Sequence, residues 1–255
     1  MSEDERLAMT WLGAATGLFD DFFDKRKMSE DHIRKLISKP EEIIAANSYE
    51  RLSLKFYLKA LAHAADANLL KRISLQVFEA QILSKRQTDP DIDTDEIRHI
   101  TLLKGGVSIL LYRSVFGECT NEEEKQMLLK TGGLGQLEND MFDVYKDSRD
   151  GIRTLATTGK NISNLRKTYV SLINEVAGLV HKTAYPHKNK RQFLGILSLV
   201  VSKGFVCLDK LEKNEKQTNN TFIPERYRRA DLICDMEKPL NFIRSIHYYL
   251  KNDLN

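Results

Sequence analysis

The chain has 255 residues, 42% of them hydrophobic and 29% charged, with a net charge of only +3. That length suits one sizeable helical domain or at most two small ones, and the composition is that of a soluble globular protein. The balanced charge gives a nucleic-acid-binding role no support, and the longest apolar run, Phe193 to Val201, is too short to span a bilayer.

The first residues, Met1-Ser2-Glu3-Asp4-Glu5-Arg6, are acidic and carry no signal-peptide pattern. A cytoplasmic protein is therefore expected. Apolar residues at helical spacing predict helices over about 3–24, 30–38, 48–64, 68–86, 95–116, 121–149, 160–184, 189–213 and 237–252. Thr94 followed by Asp95 and Glu96, and Asn121 followed by three glutamates, read as helix starts, because acidic side chains favour the first turn. Polar stretches with Pro90 and Pro224 read as loops. No segment alternates convincingly as a strand, and no internal repeat is present. An all-α, single-domain chain over residues 1–255 is expected.

Cys119, Cys207 and Cys234 are far apart without ligand spacing, which fits a reducing compartment and argues against structural zinc. The six histidines show no HExxH or paired spacing, and no serine sits in a GxSxG setting.

Two acidic clusters remain. The first is Asp20-Asp21-Phe22-Phe23-Asp24, and the second runs from Asn139 through Asp140 and Asp143 to Asp147. Helical residues four apart share a face about 5–6 Å apart. Asp20 and Asp24 then project together, as do Asn139, Asp143 and Asp147, with Gln136 one turn earlier. Magnesium takes oxygen ligands and commonly binds through one or two carboxylates plus waters and substrate phosphate. Two such ladders could hold magnesium around a diphosphate. A solvated polar face presents the same pattern, since Leu134, Leu137, Met141 and Val144 form an apolar stripe roughly opposite. Periodicity leaves both readings open.

With their spacing and flanks, these residues resemble the class I isoprenoid (terpenoid) synthase superfamily. Asp20-Asp21-Phe22-Phe23-Asp24 resembles its DDxxD motif. Gly135 to Asp143 is similar to the FQxxDDxxD element of trans-prenyltransferases, and Asn139 to Asp147 is similar to the NDxxSxxKE metal motif of terpene cyclases. Glu79-Ala80-Gln81 resembles the GGQxxD helix through its glutamine alone. Ile100 to Gly106 resembles the IHxxKTG segment, whose lysine contacts diphosphate and whose glycine marks a helix break. Two glycines inside a helix are costly unless a kink or close approach needs them. The resemblance covers residues 10–155.

The resemblance implies an antiparallel helical bundle around a central cavity and a magnesium-dependent reaction on an allylic prenyl diphosphate. It assigns metal binding to Asp20, Asp21, Asp24, Asn139, Asp140, Asp143 and Asp147, and diphosphate binding to Lys104. Arg98 and the Arg226-Tyr227 pair are further diphosphate candidates. Phe19, Phe22, Phe23, Phe78, Tyr112, Phe142 and Tyr145 could wall a hydrocarbon pocket or simply pack a core. The GKxxR element that binds isopentenyl diphosphate is absent, which favours a single-substrate terpene synthase over a chain-elongating or head-to-head prenyltransferase. Only nineteen residues precede Asp20, whereas the family places several helices there. A truncated or non-catalytic subunit, working in a homodimer or with a partner subunit, is therefore a third reading.

Overall fold

A computed structural model describes residues 1–24 and 28–251, without the side chains of residues 20–24. Among the described residues there are helices and turns but no strand. The α-helices are α1 (Glu3–Asp24), α2 (Glu30–Ser38), α3 (Ser48–His63), α4 (Ala67–Ser84), α5 (Thr94–Ser114) and α6 (Glu122–Phe142). They continue as α7 (Val144–Arg149), α8 (Leu155–Thr158), α9 (Ile162–Lys182), α10 (His187–Gln217), α11 (Arg229–Leu232) and α12 (Pro239–Lys251). Short 3-10 turns occupy Pro40–Glu42, Lys85–Thr88 and Pro224–Arg226. The chain forms two compact units, one of residues 1–82 with 107–120 and the other of residues 83–106 with 121–255.

In the first unit α1 lies along α3. Ala8, Leu12 and Ala15 recur at helical spacing and are buried, as are Leu54, Tyr57 and Ala60 of α3. Trp11 stacks on Phe56 with ring centroids 5.5 Å apart, and Lys59 sits 4.1 Å above the Trp11 ring. The Asn47 side chain caps α3 by accepting from the Glu50 amide. Glu50 is fully buried and is satisfied by the Ala46 amide at 2.8 Å and by His32.

The second unit is built on α6, α9 and α10. Lys130 meets Glu175 and Glu138 meets Tyr169, so residue numbers rise on α6 as they fall on α9. Arg166 meets Asp209 while Tyr169 meets Val201, which sets α9 antiparallel to α10 in the same way. Their shared core holds Leu137, Met141, Leu172, Val176, Val201 and Leu208. Free Cys207 is buried there and reaches the Met141 carbonyl at 3.3 Å.

Three local expectations change. The helix expected over 121–149 is interrupted at Asp143, where φ is −91° and ψ is 7°. The Asp143 amide still donates to the Asn139 carbonyl, and the Asp147 amide to the Asp143 carbonyl, both at 2.9 Å. The bend thus keeps the four-residue register of the ladder. Next, α10 runs on to Gln217 through a segment that reads as a loop from Asn214. Buried Asn214 donates to the Asp231 carbonyl, and buried Glu215 accepts from the Ile162 amide, so tertiary hydrogen bonds override the local turn signal. Finally, α5 shows no break at Gly105-Gly106. The glycines serve a close crossing instead. A methyl group at Gly105 would fall on the Gly132 carbonyl group of α6, 2.6 Å from its carbon, and one at Gly133 would lie 2.6 Å from Leu102 Cδ2.

Candidate functional site

The glycine crossing brings α5 against α6 and sets Thr101 beside Asp140. The Thr101 hydroxyl donates to Asp140 Oδ2 at 3.2 Å, and Gln136 Nε2 donates to Asp140 Oδ1 at 2.8 Å. Asp140 and Asp147 are both buried, whereas Asn139 is exposed and Asp143 is half-buried. Asn139 Nδ2 donates to Asp143 Oδ2 at 3.4 Å. The Asp147 carboxylate has no hydrogen-bond donor among the described residues, although it is only 8% exposed. The second acidic cluster is therefore more than a wet helix face.

Burial pushes the Asp140 carboxyl up to about 6, although hydrogen bonds from Gln136 and Thr101 and the charge of Lys104 pull the other way. Burial, together with the negative charges of Asp140 and Asp143, pushes Asp147 up to about 7 against Lys146 and Lys104. Lys104 is half-buried and its charge is felt by both aspartates. For both carboxyl groups burial is the largest cause of the rise, because a charged carboxylate is disfavoured away from water.

Other predicted residues sit elsewhere in this unit. Arg98 is exposed, and its charge acts on Glu175 of α9. Arg226 is exposed in the 3-10 turn that packs beside α7, where the Ser148 hydroxyl donates to Glu225 at 3.3 Å. The Tyr227 hydroxyl is hydrogen-bonded to Thr218, within its own loop. Phe142 and Tyr145 pack against the core, with Arg229 lying 5.9 Å over the Tyr145 ring. Sequence reasoning missed Arg153. The Gly151 turn (φ 71°) lets the Ile152 amide reach back to the Asp147 carbonyl at 2.8 Å, and Gln87 grips the Arg153 backbone from both sides. The Arg153 Nε atom is buried without a hydrogen-bond partner among the described residues.

Two residues before Asp140, Glu138 meets a different partner. The fully buried Tyr169 donates to Glu138 Oε2 at 2.7 Å, packing its ring against Gly204, and Lys203 stands 3.8 Å from Glu138 Oε1. Burial raises the Glu138 carboxyl, and the Tyr169 hydrogen bond and the Lys203 charge oppose that rise only in part. Tyr169→Phe should cost about 1–2 kcal/mol in urea unfolding at neutral pH, because it strips a donor from a buried carboxylate. An unchanged midpoint would mean that Lys203 or water fully replaces the hydroxyl.

In the first unit, α1 lines an apolar cavity of about 250 Å³ with Leu12, Thr16 and Phe19, opposed by Phe78, Leu111 and Tyr112. The Thr16 and Tyr112 hydroxyls are hydrogen-bonded at 2.9 Å. Phe19, Phe78 and Tyr112 thus act as pocket walls. Beyond Phe19, α1 continues helically to Asp24. Backbone register puts Asp20 and Asp24 at the next two steps of the row that begins Leu12, Thr16. The side chains of Asp20, Asp21, Phe22, Phe23 and Asp24 lie outside the described residues.

As to metal, no group of three or more histidine, cysteine, aspartate or glutamate side chains is poised around one point among the described residues. The donor chemistry at Asn139, Asp140, Asp143 and Asp147 still suits a hard cation. All are oxygen donors, and magnesium needs only one or two carboxylates when water and phosphate complete its shell. Compared with protein-family models, with curated proteins and with solved structures, the chain matches none.

Proposed function

We propose that the chain is a magnesium-dependent class I isoprenoid synthase, a single domain over 1–255 that acts on an allylic prenyl diphosphate as a terpene synthase. The observation that carries this reading is on α1, where the helix lining the apolar cavity runs within one turn into Asp20-Asp21-Phe22-Phe23-Asp24. Support also comes from the second unit, where Asp140 and Asp147 are buried with raised carboxyl groups and Lys104 nearby. Bound magnesium would supply Lewis-acid neutralisation of the diphosphate leaving group.

The metal ligands in this reading are Asp20, Asp24, Asn139, Asp143 and Asp147, with Asp21 and Asp140 beside them. Thr101 and Gln136 fix the Asp140 carboxylate, as second partners of metal ligands do. Lys104 holds the diphosphate as a compact cation. Phe19, Phe78 and Tyr112 wall the hydrocarbon chain, keeping water from the allylic cation and offering it ring faces.

The test is incubation of the chain with geranyl, farnesyl and geranylgeranyl diphosphates, with and without magnesium, reading released diphosphate and hydrocarbon product. Magnesium-dependent release is expected, abolished by Asp20→Ala combined with Asp143→Ala. Release that survives the double substitution, or no release from any of the three, would overturn the proposal. Turnover that strictly needs added isopentenyl diphosphate would instead make the enzyme a prenyltransferase.

A further inference from the structure

The terminal helix α12 packs with the wrong side for an ordinary surface helix. Its inward row is Asn241, Ser245 and Tyr248. Asn241 Nδ2 donates to the Asp235 carbonyl at 2.7 Å, Ser245 is buried, and Tyr248 stacks on Phe205 at 5.1 Å while donating to Asp209. The outward arc is apolar. Leu240, Phe242, Ile243, Ile246 and Leu250 are between 39% and 75% exposed. Apolar surface of this kind on a solvated helix marks an interaction face.

Charge says what kind of face. From Lys238 to Lys251 there is no acidic residue, while Lys238, Arg244, His247 and Lys251 are all exposed. By helical projection Arg244 and Lys251 flank one edge of the apolar arc, and Lys238 stands immediately before the first residue of the helix. The acidic residues nearest in sequence lie beyond both ends of that stretch, Asp235 and Glu237 before it and Asp253 after it. An apolar arc bordered by cations is the pattern of helices that lie in the plane of a bilayer, apolar side chains among the acyl chains and cations at anionic headgroups. A second copy of the chain fits less well, because pairing two such faces would oppose cation rows of the same sign.

We propose that α12 is a docking helix for a membrane surface that carries anionic lipid. It does not cross the bilayer, since no helix among the described residues is long and apolar enough to do so. The inference stands independently of the isoprenoid synthase reading.

Co-sedimentation of the intact chain with vesicles tests it. Binding is expected to vesicles of phosphatidylcholine mixed with phosphatidylserine and to be much weaker with phosphatidylcholine alone. Ile243→Glu with Ile246→Glu should cut partitioning more than about tenfold. Arg244→Glu with Lys251→Glu, which leaves the apolar arc untouched, should cut it about tenfold or more, as should raised salt. All four side chains are exposed, so thermal midpoints should hold. Absence of vesicle binding by the unaltered chain, or binding that neither pair reduces, would overturn the proposal. So would a dimer seen by sedimentation equilibrium that Ile243→Glu dissociates, since the face would then belong to a second copy.

Discussion

Gly132→Ala should destabilise the protein by about 3 kcal/mol and lower its thermal midpoint by roughly 6–10 °C. The added methyl group would lie 2.5 Å from the Gly105 carbonyl carbon and 2.8 Å from Gly106 Cα, so backbone, not a mobile side chain, stands in its way. Helices α5 and α6 would have to part, loosening the Thr101 contact to Asp140 as well. Alanine otherwise favours a helix over glycine by about 0.5–1 kcal/mol. Gly135, three residues on in the same helix, has nothing within 4 Å of a methyl group. Gly135→Ala should therefore raise the midpoint slightly. Opposite signs in one helix, read by scanning calorimetry, check the close crossing; a neutral Gly132→Ala would refute it.

Asp147→Asn should stabilise the metal-free protein by about 1–2 kcal/mol at pH 8 and by almost nothing near pH 4. In the folded chain Asp147 titrates at about 7 and Asp140 at about 6. An unfolded aspartate titrates near 3.9. Between about pH 4 and 7 the folded state therefore binds more protons, so stability falls as pH rises through that window and stays low above it. Asparagine removes the buried charge and with it that slope. Magnesium should act in the opposite sense, raising the midpoint of the unaltered protein at pH 8 more than that of Asp147→Asn. Urea unfolding at pH 5 and 8, with and without magnesium, measures all of this. A variant less stable than the parent at pH 8 would show that Asp147 is already neutralised within the fold.

Asp147 is where the two sources of information part. Its spacing from Asp143 and Asn139 is readable in the sequence, because a helix repeats every 3.6 residues wherever it sits. Its burial is not readable, because that depends on the chain returning through Gly151, Ile152 and Arg153, which links to Gln87. The same holds for Gly105 and Gly106, whose spacing suggests a break until Gly132 and Gly133 are seen against them.

By itself the sequence determined neither the short α8 and α11 nor the interruption at Asp143, but it did determine the longer helices and most of their starts. Local hydrogen bonding and apolar period decide those, as the Asn121 side chain accepting from the Glu124 amide illustrates. It also determined that carboxylates recur at one-turn spacing in two places. Tertiary structure alone decided that Asp140 and Asp147 are buried, that an apolar cavity lies along α1 ahead of Asp20, and that α12 turns its polar row inward. Burial is a property of what packs against a face, and period-counting reports the face without its neighbour. In α12 the polar row won the interior because Asp209 and the Asp235 carbonyl were there to meet it.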